Sequence, residues 1–198
     1  MKSWGSVVAV LSLAAWAAPA NAINWSVGAN LGFDIFSPSS RYGEDNITEF
    51  AWPSSGVTPG LRFGFTREKP NHEVFLDTGL KYSSTKNAKT NRAFTATANY
   101  QYNFSKGGSA APYLTAGGGL ELVGEKDETD PDNVSDVSAI SGVFGGGVGV
   151  RHKMGNGHGT LRAEVRFDRL TEGADQDQVI IREANIFSIK FGFDLWGN

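Results

Sequence analysis

The chain has 198 residues, with 18 Lys and Arg against 21 Asp and Glu, and no cysteine. A formal charge of −3 without a Lys/Arg cluster excludes nucleic acid as a partner, and the lack of cysteine excludes disulfides, thiolate metal sites and a cysteine nucleophile. The mean hydropathy of −0.26 does not exclude a membrane barrel, whose strands show lipid only at every second residue.

In chain order, residues 1–22 have the anatomy of a cleaved secretory signal. Lys2 gives the positive start, Val7 to Ala18 the apolar stretch, and Ala20-Asn21-Ala22 the small-x-small cleavage site. The remainder, 23–198, suits a single domain. Its first segment sets Ile23, Trp25, Val27, Ala29, Leu31, Phe33 and Ile35 against Asn24, Ser26, Gly28, Asn30, Gly32 and Asp34. Successive strand side chains point to opposite faces, so this is a strand with one apolar side and one polar side.

Seven more such runs follow, giving predicted strands at 23–36, 56–67, 73–84, 92–105, 112–123, 138–153, 159–170 and 180–196. The fourth is the most regular, with Phe94, Ala96, Ala98, Tyr100, Tyr102 and Phe104 opposite Thr95, Thr97, Asn99, Gln101 and Asn103. The third has one exception, Phe75, on its polar side. Links near 68–72, 106–111 and 154–158 are short, while those near 37–55, 85–91, 124–137 and 171–179 are mostly longer and polar. Short periplasmic turns and longer outer loops are the pattern of outer-membrane barrels, which would leave both termini in the periplasm.

The polar face separates a soluble barrel, apolar inside, from a membrane barrel, apolar outside. It is rich in Gly, Ser, Thr and Asn, with a minority of charges, as a narrow interior filled by side chains requires. Trp25, Tyr82, Phe94, Tyr102, Phe104, Phe193 and Trp196 fall near strand ends, where aromatic girdles mark the membrane interfaces. The expected fold is therefore all-β, an eight-stranded antiparallel up-and-down transmembrane barrel.

On these grounds the chain resembles the small eight-stranded outer-membrane barrels of OmpA and OmpX type. The final strand, Phe187 to Trp196, resembles the signal read by the barrel-assembly machinery, although Gly197 and Asn198 follow its last aromatic residue. The resemblance implies a bacterial outer-membrane location among lipid and lipopolysaccharide, a monomer, and no peptidoglycan-binding domain.

The inward face is expected to carry Arg62, Asp77, Lys81, Glu121, Arg151, Arg162, Glu164, Arg166, Asp168, Lys190 and Asp194. A four-residue turn at 68–71 would place Arg62 opposite Asp77 and Thr58 opposite Lys81. In a confined lumen an unpaired charge costs several kcal/mol, so these residues read as an interior salt-bridge network that plugs the barrel. His72 and His158 fall in predicted turns and His152 on an outward position, with no nucleophile motif nearby, so no enzyme and no cofactor are expected. In the third outer loop Asp127, Glu128, Asp130, Asp132 and Asp136 are weak candidates for a divalent cation; the spacing fits no EF-hand and reads as a solvated loop. Lys86, Lys89 and Arg92 make the second outer loop basic. Gly117-Gly118-Gly119 and Gly145-Gly146-Gly147 read as space-makers opposite long interior side chains rather than a phosphate cradle.

The reading that follows is a structural or surface-interaction protein that meets lipopolysaccharide, a host surface or another envelope protein through its loops. A narrow channel for ions or small solutes comes second, and an outer-leaflet lipid-modifying enzyme third.

Overall fold

The computed structural model of the protein describes residues 24–38, 55–66, 71–84, 89–104, 109–127, 135–155, 158–171, 173–175, 178–181 and 183–197. Residues 1–22, read above as a signal, lie outside them, as do Lys86, Glu128, Asp130 and Asp132 of the expected outer loops. The strands are β1 (Asn24–Pro38), β2 (Ser55–Thr66), β3 (His72–Ser84), β4 (Lys89–Asn103), β5 (Ala110–Asp127), β6 (Ser135–Lys153), β7 (Gly159–Leu170), β8 (Gly173–Asp175), β9 (Gln178–Ile181) and β10 (Ala184–Gly197).

Each long strand pairs antiparallel with its neighbours in sequence, and β1 pairs with β10 from Trp25–Gly197 to Pro38–Ala184. That last ladder closes β1–β7 and β10 into an eight-stranded barrel. Closure satisfies the backbone within the wall, as hydrocarbon demands, except along the outer half of the β2–β3 seam. Four expected boundaries change appreciably. The fifth strand runs on to Asp127 rather than 123 and the sixth begins at Ser135 rather than 138, so Asp127 and Asp136 belong to strands and not to the third outer loop. The last barrel strand begins at Ala184 rather than 180, because 173–175 and 178–181 form a separate small hairpin that joins β6 at Ile140–Ala174. The fourth strand begins at Lys89 rather than 92, so Lys89 and Arg92 belong to the wall and not to a loop.

Burial is inside out. Leu31, Phe33 and Ile35 are exposed on β1, while Asn30, Gly32 and Asp34 on the alternate positions are buried; β7 repeats the pattern with Val165 and Phe167 out, Arg166 and Asp168 in. Apolar side chains outside and polar ones inside are what a lipid solvent selects. The interior is not uniformly polar, however. At the end far from the chain termini, Val123, Ala139, Val143, Leu170, Ala184 and Ile186 form a buried apolar cluster.

Two local features fit the wall to its contents. The glycines of β6 face the thickest interior side chains: a Cβ on Gly147 would stand 3.0 Å from Glu164 Oε1, and one on Gly149 would stand 2.5 Å from Tyr113 Oη. The β2–β3 ladder holds only five pairs, from Thr66–Glu73 to Arg62–Asp77, whereas the ladder on the other side of β3 runs from His72–Tyr102 to Ser84–Thr90. The expected Arg62–Asp77 register is thus present, and the expected Thr58–Lys81 pair lies beyond the end of the ladder.

Candidate functional site: the charged lumen

All eleven charges expected to face inward do so; ten are buried, and Lys190 is half-buried. Alternation places them: each stands on the inward parity of its strand, as Arg162, Glu164, Arg166 and Asp168 do at every second residue of β7. Among the described residues the interior carries seven carboxylates and six cations. Two of the carboxylates, Asp34 and Glu73, were not among the expected charges, although both stand on the polar parity of their strands and that signal alone would have found them.

At the end that carries the chain termini, the two guanidinium groups of Arg62 and Arg151 converge on Glu73. Arg62 Nη2 donates to Glu73 Oε1 at 2.9 Å and to Gln101 Oε1 at 2.7 Å, and Arg151 Nη1 reaches Glu73 Oε2 at 3.5 Å. Gln101 passes the chain on, its Nε2 donating to Asn103 Oδ1 at 2.7 Å. Phe75, the exception to the polar pattern, is buried with its ring centroid 3.3 Å from the Arg62 guanidinium carbon, a cation–π contact in a site shielded from water. Beside this group Arg162 binds Asp194 through two nitrogens, Nη2 donating to Oδ1 at 3.0 Å. Planar forks of this kind hold a carboxylate in one orientation.

The middle of the lumen is crossed by Lys190, which donates to Asp77 Oδ2 at 3.0 Å, while Asn30 Nδ2 donates to Asp77 Oδ1 at 2.6 Å. Tyr113 Oη donates to Glu164 Oε2 at 3.1 Å. Toward the far end Arg166 Nε donates to both oxygens of Asp168, at 2.8 and 2.7 Å. There Lys81 Nζ stands 2.8 Å from Asp34 Oδ2, which also accepts from Thr58 Oγ1 at 2.8 Å. The register of the ladder and the partners of the charges therefore differ. Arg62 faces Asp77 across two strands but pairs with Glu73, and Asp77 takes Lys190 from across the barrel. Long side chains in a closed tube reach partners that no adjacent pair of strands would suggest.

Of the residues expected in an aromatic girdle, all but one face outward. Trp25, Tyr82, Phe94, Phe104 and Phe193 are exposed on the outer face, and Tyr102 is half-buried between His72 and Phe104 in edge-to-face contacts. Trp196 instead turns inward: its Nε1 donates to Thr160 Oγ1 at 2.8 Å, and the Arg151 guanidinium carbon lies 5.9 Å from its ring. Its parity is that of Ser188, Lys190 and Asp194, which overrides its position at a strand end. His72 is the first residue of β3 rather than a turn residue, and its Nδ1 is hydrogen-bonded to Tyr100 Oη on the outer face. His152 and His158 are exposed, away from the lumen carboxylates. The side chains of the five acidic candidates expected in the third loop lie outside the described residues. Among the described residues no group of three or more His, Asp or Glu side chains is placed to hold a metal ion.

A cavity of about 40 Å³ remains in the far half of the lumen, lined by residues that include Asp34, Lys81, Glu121 and Lys190. By the same measure one water takes about 10–15 Å³, so the space suits a few waters and not a solute in transit.

Comparison with known proteins gives a family and a fold. The family model described as "Outer membrane protein beta-barrel domain" matches residues 6–194. Among solved structures, the chain is similar to Neisserial surface protein A, at 17% identity and a TM-score of 0.59, covering 86% of this chain and 96% of that one. It is similar also to Ail, the attachment invasion locus protein of Yersinia pestis, crystallised with the heparin analogue sucrose octasulfate. There the identity is 9% and the TM-score 0.55, covering 89% of this chain and 99% of that one. No curated protein sequence matches the chain.

Proposed function

The chain belongs to the outer membrane protein beta-barrel family, and we propose that within the bacterial outer membrane it acts as a structural and surface-interaction protein whose loops, not its lumen, make the functional contacts. The observation that carries this reading is the continuity of the charge network. Arg62, Glu73, Gln101 and Asn103 are essentially inaccessible to solvent and joined by hydrogen bonds from β2 to β4, and Arg151 of β6 reaches the same Glu73. Passage along the axis would have to separate buried ion pairs, each of which costs several kcal/mol to break.

In this reading the barrel end that carries the termini faces the periplasm, and the long links between β1 and β2, β3 and β4, β5 and β6, and β7 and β10 face outward. The surroundings are lipid and lipopolysaccharide, and assembly proceeds through the barrel-assembly machinery with β10 as its signal strand. The partner is a host-surface or envelope component, as the attachment role in the name of Ail suggests by analogy of fold. Two measurements test the reading together. Protein reconstituted in planar bilayers is expected to show no single-channel steps. Cells expressing a variant with 128–134 replaced by a short Gly-Ser link are expected to keep the barrel and lose surface binding. Steady conductance in the first, or unchanged binding after every outer loop is shortened, would contradict it.

A further inference from the structure

Among the described residues the seam between β2 and β3 is interrupted, and the interruption has a cause in the sequence. The Leu61 amide points toward β3, so the amide positions of Pro59 and Phe63 on the same strand do too, by alternation. Proline has no N–H, so at position 59 β2 cannot donate to β3. One step inward, Leu61 N does not meet a backbone carbonyl of β3. It donates to Thr78 Oγ1 at 3.1 Å, and the same hydroxyl donates back to Leu61 O at 3.2 Å. A side chain thus replaces the ladder at its last rung. Beyond it, β2 is paired only to β1 and β3 only to β4.

The cavity in the far half of the lumen lies behind this seam, because Thr58 from β2 and Thr78 and Gly79 from β3 are among its walls. On the outer side the seam is flanked by the exposed Leu61 and Leu80. Inside, the cavity is lined by four carboxylates, Asp34, Asp77, Glu121 and Asp168, against three cations, Lys81, Arg166 and Lys190. Among the described residues two buried oxygens there take no hydrogen bond, Glu121 Oε1, on a side chain 1% exposed, and Asp34 Oδ1, although Thr95 and Ser188 are hydrogen-bonded to the same two carboxyl groups.

We propose that the outer half of the β2–β3 seam is a lateral opening from the bilayer to this cavity, and that the cavity takes the head group of a protonated aliphatic amine. The alkyl chain of such an amphiphile stays in the hydrocarbon along Leu61 and Leu80, while its ammonium group supplies the donors that Glu121 Oε1 and Asp34 Oδ1 lack. The excess of carboxylates selects a cationic head over an anionic one, and the volume suits a head group rather than a whole solute. This goes beyond the proposed function, which concerns the axis: at the seam β2 and β3 still touch, Thr58 Cγ2 standing 3.0 Å from where a Cβ on Gly79 would be, but no backbone ladder holds them, so parting them breaks only packing contacts.

The mature chain in lipid nanodiscs provides the test, with dodecylamine, dodecanol and dodecanoate as probes and threonine methyl signals as the readout. Dodecylamine is expected to shift Thr58 and Thr95, with dodecanol weaker and dodecanoate silent. Glu121→Gln, nearly isosteric, is expected to weaken the amine by about tenfold, the effect of losing one charge-assisted hydrogen bond. Pro59→Val restores the missing donor and is expected to slow amine association. In the wild type, the backbone amides of Leu80 and Tyr82, which point at β2 without a ladder, should exchange with deuterium faster than amides across β5–β6, and Pro59→Val should slow them. Dodecanoate shifting the same methyls as strongly, affinity unchanged in Glu121→Gln, or Leu80 and Tyr82 as protected as β5 in the wild type would each overturn the proposal. The exchange measurement needs no variant, so it decides the opening even where a substitution impairs folding, and none of these outcomes depends on whether the axis conducts.

Discussion

Arg62 shows what a single interior residue does in this molecule. Its guanidinium holds Glu73 and Gln101 and lies on Phe75, so its removal strands a buried carboxylate. Arg62→Ala is expected to destabilise the folded barrel by about 3–5 kcal/mol, measured by urea unfolding in lipid vesicles with tryptophan fluorescence. Gly149 makes the complementary case for space, since Tyr113 Oη occupies the position a side chain would need. Gly149→Ala is expected to cost about 1–3 kcal/mol through overpacking in the same assay, with a smaller cost in a Tyr113→Ala background. The sequence makes the inward position of Arg62 legible through parity alone. It does not make its partner legible: the register names Asp77, and the geometry of the closed tube supplies Glu73. Asp34 and Glu73 were within reach of the same parity rule, whereas Trp196 is misplaced by a rule about strand ends that parity overrides.

At the scale of the strand, the alternation of lipid and lumen is the organising fact, and adjacent residues feel opposite solvents. On β10, Ile189 is exposed to lipid while Lys190 reaches Asp77 inside. Ile189→Arg is expected to cost about 2–4 kcal/mol near the bilayer midplane, although the next residue carries a charge, paired with Asp77 inside. Equal stability of this variant and the wild type in vesicle unfolding would show that the exposed face does not meet hydrocarbon. Strand positions were legible because period two persists over nine or more residues in each long strand. The small hairpin of β8 and β9 was not, because three- and four-residue strands give too few alternations to stand apart from a loop. The interrupted β2–β3 seam was half legible: Pro59 announces a missing donor, but only the structure shows Thr78 standing in its place.

The whole molecule couples a closed wall to a filled interior. Ten barrel and loop strands arrange one eight-membered ring, and such a closed sheet is expected to resist detergent at room temperature, so that unboiled and boiled samples migrate differently on gels. Identical migration would contradict closure. The filled interior is the stronger claim, because it assigns the biological contacts to the loops. Single-channel recording on the purified protein in planar bilayers tests it most directly, with the Arg62→Ala/Glu73→Ala variant as the comparison. A silent wild type with steps appearing in the variant is the predicted result. Steady ohmic conductance in the wild type, unchanged in the variant, would contradict the claim that Arg62, Glu73 and their neighbours close the lumen.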